Sequence, residues 1–75
     1  MKAYKNLSGK SGVSAYAMAD DAILVEFRRG AVYLYTDDSI GQSKRAKMQE
    51  LAQRGQGLNA FINQNVRADF ARKLT

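Results

Sequence analysis

Hydrophobic and polar side chains alternate with period two in two successive runs, residues 23–27 and 31–36, as they do in β-strands. The tripeptide Arg28-Arg29-Gly30 joins the runs, and its glycine suits a tight turn because it adopts positive φ at little steric cost. A weaker alternation over residues 13–18, followed by the turn sequence Ala19-Asp20-Asp21, adds a preceding strand. The pattern predicts a three-stranded antiparallel meander.

Apolar side chains recur at helical spacing in the second half of the chain. One apolar stripe runs over residues 40–52 and ends at Gly55, which is suited to stopping a helix. Asp37-Asp38-Ser39 offers N-capping side chains for a helix that begins there, and a start after Gly41 is the alternative. Residues 58–66 carry a second stripe. The pattern predicts two helices after the sheet.

The two ends of the chain follow these patterns less closely. Phe70 falls outside the last apolar stripe and rejoins it only if the helix breaks or tightens after Asn65. The small polar sequence over residues 8–12 favours a flexible N-terminal arm covering residues 1–12. We therefore expect an α+β fold of order β-β-β-α-α in a single small domain, residues 13–75.

Length and composition limit the core and the chemistry. The chain has 75 residues, of which 45% are hydrophobic, and no apolar run approaches the roughly 18 residues of a membrane span. The first residues lack the apolar segment of a signal peptide, so a cytoplasmic protein without a membrane partner is expected. Cysteine and histidine are absent, which removes thiolate nucleophiles, the usual neutral-pH base and the commonest metal ligands. We expect no enzymatic activity, metal or cofactor.

The net charge of +5 is distributed unevenly. Residues 39–75 carry seven basic and two acidic side chains, whereas residues 13–38 carry two basic and five acidic ones. A phosphate-contacting surface is therefore predicted mainly on the helices, with bidentate contacts from arginine and point charges from lysine. The candidate basic residues are Arg28, Arg29, Lys44, Arg45, Lys47, Arg54 and Arg67.

Tyr33 and Tyr35 are the candidate aromatic contacts, because alternate residues of a strand stand side by side on one face. Exposed tyrosines offer a stacking surface for unpaired bases. They lie on the open face if Val32 and Leu34 join Ile23 in the buried set, and inside if the pairing is shifted by one residue. The pattern leaves both arrangements open.

Asn63 and Asn65, near the end of the second helix, also have two interpretations. Their side chains can read base edges, or they can satisfy backbone groups at a helix end. We favour the second interpretation for both asparagines. Arg67 is the better candidate for a ligand contact.

The order of these features resembles the KTSC family, short domains named for the C-terminus of some lysyl-tRNA synthetases that also occur as free-standing small bacterial and phage proteins. The resemblance covers roughly residues 11–71. It rests on Ile-x-Val-x-Phe at 23–27, Tyr-x-Tyr at 33–35 and Phe-Ile-Asn-x-Asn-Val-Arg-x-x-Phe at 61–70, with glycines at positions 30 and 55. Two departures are the missing proline soon after Tyr35 and Arg54 in place of a serine.

The resemblance implies a stand-alone KTSC-like domain and, from a role suggested for the family, RNA binding. Together with the charge and the tyrosines, it leads us to expect a small non-enzymatic module that binds RNA or single-stranded nucleic acid through a basic helical surface. The alternative is a protein–protein interaction module, either an accessory protein of a bacterial or phage complex or a homodimer. A marginal core and an unpaired sheet edge favour that alternative.

Overall fold

The computed structural model describes all 75 residues and contains a five-stranded antiparallel sheet whose strand order follows the chain. The three central strands confirm the predicted meander. Two short edge strands extend it and correct the predicted strand number. The strands are β1 (Lys2–Ala3), β2 (Val13–Ala19), β3 (Ala22–Phe27), β4 (Val32–Thr36) and β5 (Arg72–Lys73).

Glycine residues divide the helical half into its elements. The helices are α1 (Asp37–Ile40), α2 (Gln42–Arg54) and α3 (Leu58–Phe61), which continues as a π-helix (Ile62–Val66). We call residues 58–66, together with the C-cap residue Arg67, the C-terminal helix. The first predicted helix is split at Gly41, so both predicted starting points exist, and Gly55 ends α2 in the left-handed region at φ +80°. No helix in the chain is long and apolar enough to cross a membrane.

The cap of α1 lies one residue earlier than the sequence pattern indicates. The Thr36 hydroxyl accepts a hydrogen bond from the Ser39 backbone N–H at 3.2 Å, and the Ser39 hydroxyl accepts one from the Thr36 N–H at 3.0 Å. This reciprocal capping satisfies two backbone donors that have no partner within the helix. It fixes the direction in which the chain leaves β4.

The register between β3 and β4 pairs Ile23 with Tyr35 and Val25 with Tyr33. Both tyrosines therefore share a face with Ile23 and Val25, and this is the face that the helices cover. Tyr35 is 1% exposed and belongs to the core. The twelve buried residues of the core are Tyr4, Val13, Tyr16, Ile23, Val25, Tyr35, Met48, Leu51, Ala52, Leu58, Ile62 and Val66.

The other face of the sheet carries small and medium apolar side chains without a covering helix. Leu24 and Leu34 pair across the centre of this outer face, with Ala17 beside them. All three are half-buried and none belongs to the core cluster. The helices thus lie on one side of the sheet only.

The N-terminal segment packs into the domain, which corrects the expectation of a flexible arm over residues 1–12. Tyr4 is 6% exposed, and its hydroxyl accepts a hydrogen bond from the Leu58 N–H at 3.2 Å, at the start of α3. The Leu7 N–H donates to the Gly55 carbonyl at 2.8 Å. A Cβ atom at Gly55 would lie 2.5 Å from the Cβ of Lys5, so this segment requires glycine there.

Replacing Tyr4 with phenylalanine should lower the free energy of unfolding by about 1–2 kcal/mol, because the buried Leu58 N–H loses its acceptor. Tyr16→Phe is the matched control: Tyr16 is also 6% exposed, but its hydroxyl makes no hydrogen bond within the chain and does not lie buried without a partner. Urea denaturation measures both variants. Equal stability of the two variants would contradict the role assigned to the Tyr4 hydroxyl.

Candidate nucleic-acid interface

A cleft lies between the β3–β4 hairpin and the C-terminal helix, with a volume of about 540 Å³. Side chains from three parts of the chain meet there. The hairpin contributes arginines and aromatic rings, the C-terminal helix contributes amides and a third arginine, and the loop before β2 contributes a glycine. The residues that line the cleft include Gly12, Phe27, Arg28, Arg29, Tyr33, Asn59, Ile62, Asn63 and Arg67.

The hairpin turn places Arg28 and Arg29 at the cleft. The Gly30 N–H donates to the Phe27 carbonyl at 2.8 Å, and Gly30 has a φ of +94°, which favours glycine. The Arg28 N–H donates to the Gly12 carbonyl at 2.8 Å, which ties the turn to the loop before β2. The positions of the two arginine backbones are therefore fixed by hydrogen bonds.

The C-terminal helix directs Asn59, Asn63 and Arg67 to the same cleft. These residues are spaced four apart, and the wider turn of the π-helix compensates for the drift that an α-helix would accumulate over two such steps. At the chain end the helix does not tighten but widens from Ile62, and it ends at Val66, one residue after Asn65. Phe70 lies beyond this end and packs against Tyr33 and the core, as expected for a break after Asn65.

The three cleft arginines, Arg28, Arg29 and Arg67, form no ion pair with a carboxylate of the chain. No acidic residue lines the cleft. Their positive charge is therefore not neutralised internally, and the concave surface focuses it. Such a site favours an anion with several oxygen acceptors, such as a phosphate.

Arg45 is engaged in the structure of the domain. Its guanidinium donates to the two carboxylate oxygens of Asp37 at 2.7 and 3.3 Å and to Gln49 at 3.1 Å, and the side chain is 12% exposed. The hydrogen bond to Asp37 raises the pKa of Arg45 above its ordinary value. The pair joins α1 to α2, so Arg45 does not belong to the free basic surface predicted from the sequence.

The other predicted basic residues of α2 also lie outside the cleft. Arg54 donates to Glu50 at 2.7 Å and Lys47 lies 3.6 Å from the same carboxylate, while the Lys44 ammonium donates to the Asn65 carbonyl at 3.5 Å. The two exposed ion pairs contribute little to stability, but they offset the charges of Lys47 and Arg54 locally. Of the nine predicted site residues, the structure brings Arg28, Arg29, Tyr33, Tyr35 and Arg67 to one cleft.

The two tyrosines do not form the open stacking surface suggested by the sequence. The register buries Tyr35, which is 1% exposed although it lines the cleft. Tyr33 is half-buried, with its ring centroid 4.8 Å from that of Phe70 and 5.6 Å from that of Phe27, and with the Lys73 ammonium 5.9 Å from its centre. Tyr33 therefore packs with Phe27 and Phe70 in an aromatic wall, and its ring is not an isolated exposed surface for stacking.

The helix amides divide between the two interpretations. The Asn65 side chain donates to the Phe61 carbonyl at 3.1 Å, which supports a structural role. Asn63 and Asn59 make no hydrogen bond with the rest of the chain through their side chains, and both line the cleft. Asn59 was not predicted as a site residue, although its position four residues before Asn63 is a signal in the sequence.

Comparison of the chain with known protein families, with curated proteins and with solved structures finds no match. The chain also contains no group of three or more His, Cys, Asp or Glu side chains placed to hold a metal ion. The geometry and charge of the cleft are therefore the basis for inferring a function.

The burial of Tyr35 predicts an alkaline limit to stability. Burial, with a smaller effect from Tyr33, raises the pKa of Tyr35 to about 12. The unfolded chain loses this proton near pH 10, so the stabilisation is complete below that pH and falls toward pH 12, by up to about 1.4 kcal/mol per pH unit. Denaturation at fixed pH steps should show this loss.

Tyrosinate absorbance measured during a pH titration reports the same group. The wild-type protein should show a late ionisation step that Tyr35→Phe removes and the control Tyr16→Phe retains. A Tyr35→Phe variant that keeps the late step would show that another group produces it.

Proposed function

We propose that this protein is a non-enzymatic module that binds RNA or other single-stranded nucleic acid in the cleft between the hairpin and the C-terminal helix. The observation that carries the proposal is the convergence of three arginines without ion-pair partners on a concave surface without a carboxylate. In this proposal Arg28, Arg29 and Arg67 bind backbone phosphates. Charge-assisted hydrogen bonds to phosphate supply most of the affinity.

The remaining surface of the cleft suits unpaired bases. Phe27 and Tyr33 form an aromatic wall, and the free amides of Asn59 and Asn63 stand on the opposite side. In a duplex the bases are stacked and their edges are paired, whereas single strands present both faces and edges to a protein. A concave site lined by rings and amides is therefore matched to a single strand.

In this proposal most of the charge that binds phosphate comes from the hairpin turn, whereas the sequence pattern predicted a basic surface on the helices. Two of the three cleft arginines come from the hairpin turn, while Arg45 and Arg54 of α2 are paired with acidic neighbours. A phosphate that approaches α2 competes with Asp37 and Glu50 for those charges. A phosphate in the cleft meets no such competitor.

We also propose membership of the KTSC family. The sequences that carry the resemblance, Tyr-x-Tyr at 33–35 and Asn-x-Asn-Val-Arg at 63–67, supply Tyr33, Asn63 and Arg67 of the cleft. The RNA-binding role suggested for the family supports the same function. A protein-interaction role stays the alternative prediction, favoured by the half-buried apolar side chains of the outer sheet face.

Arg67→Gln should weaken the binding of a short single-stranded RNA about tenfold, because a charged hydrogen bond to phosphate is lost. It should also reduce the slope of log K against log salt by about 0.7, the contribution of one phosphate contact on a single strand. Fluorescence anisotropy at several salt concentrations measures both quantities.

The matched control is Arg54→Gln, which removes the same charge from α2 outside the cleft. It should leave the salt slope close to that of the wild type. Equal losses in the two variants would mean that net charge, and not the cleft, determines binding. Absence of RNA binding by the wild type at low salt would remove the proposal.

A further inference from the structure

The volume of the cleft, about 540 Å³, lies in the range of small-molecule sites. A strand that only passed over the protein would need a series of basic residues along a surface. Here three arginines without ion pairs line one cleft, whereas Arg45, Lys47 and Arg54 of α2 are paired with carboxylates. A cleft of this volume accommodates one nucleotide at a time.

The cleft contains two side-chain amides that the binding of a phosphate alone does not require. Arginine side chains alone satisfy phosphate oxygens, whereas Asn59 and Asn63 each present both a hydrogen-bond donor and an acceptor. A side-chain amide with a donor and an acceptor matches the paired donor and acceptor on the edge of a nucleobase. Neither amide has a partner in the chain, so each is available to a ligand.

The wall of the cleft is apolar where a base would lie. Phe27 and Tyr33 on the hairpin side and Ile62 on the helix side are in position to contact the faces or edges of a flat heteroaromatic ring. Contacts between aromatic side chains and unstacked bases are the usual source of affinity for single-stranded ligands. An inorganic anion gains nothing from such a wall.

Gly12, in the loop before β2, lines the cleft and has no side chain to fill it. A Cβ atom there would lie 3.7 Å from the Asn59 side-chain oxygen, which is ordinary contact, and Gly12 does not have a positive φ. The backbone therefore accepts a side chain at this position. A longer side chain would occupy the space beside Asn59 without changing the charge of the protein.

We infer that the cleft holds a single nucleotide, with its phosphate at Arg28, Arg29 and Arg67 and its base between the aromatic wall and the two asparagine amides. This inference rests on the proposed function and specifies its ligand. A nucleoside monophosphate is then the smallest complete ligand, and a longer strand binds by inserting one unstacked nucleotide.

Isothermal titration of the full chain with adenosine monophosphate, uridine monophosphate and inorganic phosphate tests the inference. At least one nucleotide should bind tenfold or more tightly than phosphate. Gly12→Leu should lower nucleotide affinity at least tenfold, whereas Ala60→Leu, which introduces the same side chain at an exposed helix position outside the cleft, should leave it unchanged. Equal affinity for phosphate and both nucleotides would overturn the inference.

Asn63→Ala is a second variant that does not depend on filling the cleft. Asn63 is exposed and makes no side-chain hydrogen bond within the chain, so its replacement should not disturb the fold. It should weaken nucleotide binding several-fold and leave phosphate binding unchanged. Loss of both to the same extent would contradict the contact between the amide and the base.

The same titrations separate the inference from the proposed function. If a single-stranded RNA binds with the predicted dependence on Arg67 but neither nucleotide binds, the function stands and the single-nucleotide site is wrong. If neither the RNA nor the nucleotides bind, both are wrong.

Discussion

Pairing of Ile23 with Tyr35 and of Val25 with Tyr33 puts both tyrosines on the face of the sheet that the helices cover. This register determines the composition of the core, since a slip by one residue would replace the tyrosines with Leu34 and its neighbours. It also determines the cleft. With Tyr33 on the inner face beside Phe27, the aromatic wall faces the C-terminal helix, and the adjoining turn carries Arg28 and Arg29 to the same opening.

The arginines of this small domain fall into two groups, those paired with carboxylates and those without such partners. On α2, Arg45 joins this helix to α1 through Asp37, and Arg54 is paired with Glu50 at the surface. The cleft arginines Arg28, Arg29 and Arg67 have no such partner, so their charge is not offset by a carboxylate of the chain. A net charge of +5 therefore describes the binding potential of this protein less well than the location of its carboxylates.

The central strands, the turn at Gly30 and the helix end at Gly55 could be predicted from the sequence because each has a local pattern or a glycine with a local task. The register could not, since both faces of β4 are apolar and either satisfies the alternation. The two-residue edge strands and the burial of Tyr4 depend on contacts with distant parts of the chain. Such contacts leave no periodic pattern in the sequence from which they could be predicted.

The candidate site was partly predictable for the same reason. Arg28, Arg29 and Arg67 could be named from charge, but only the packed fold shows that they meet and that Arg45 does not join them. Gly12 lines the cleft through tertiary contacts alone, whereas Asn59 also has a signal in the sequence, its position four residues before Asn63. A side chain's residue type indicates what it can bind, and the folded chain determines whether it is available.

Nitrogen-15 NMR of the labelled protein during titration with a short single-stranded RNA tests the location of binding most directly. Binding in the cleft predicts that the largest shift changes occur at the hairpin turn, at Asn59 and Asn63, and at the side-chain nitrogen of Arg67. The outward face of α2, including Lys47 and Arg54, should change little. Largest changes on α2, with the cleft signals unmoved, would contradict the assignment of the binding site.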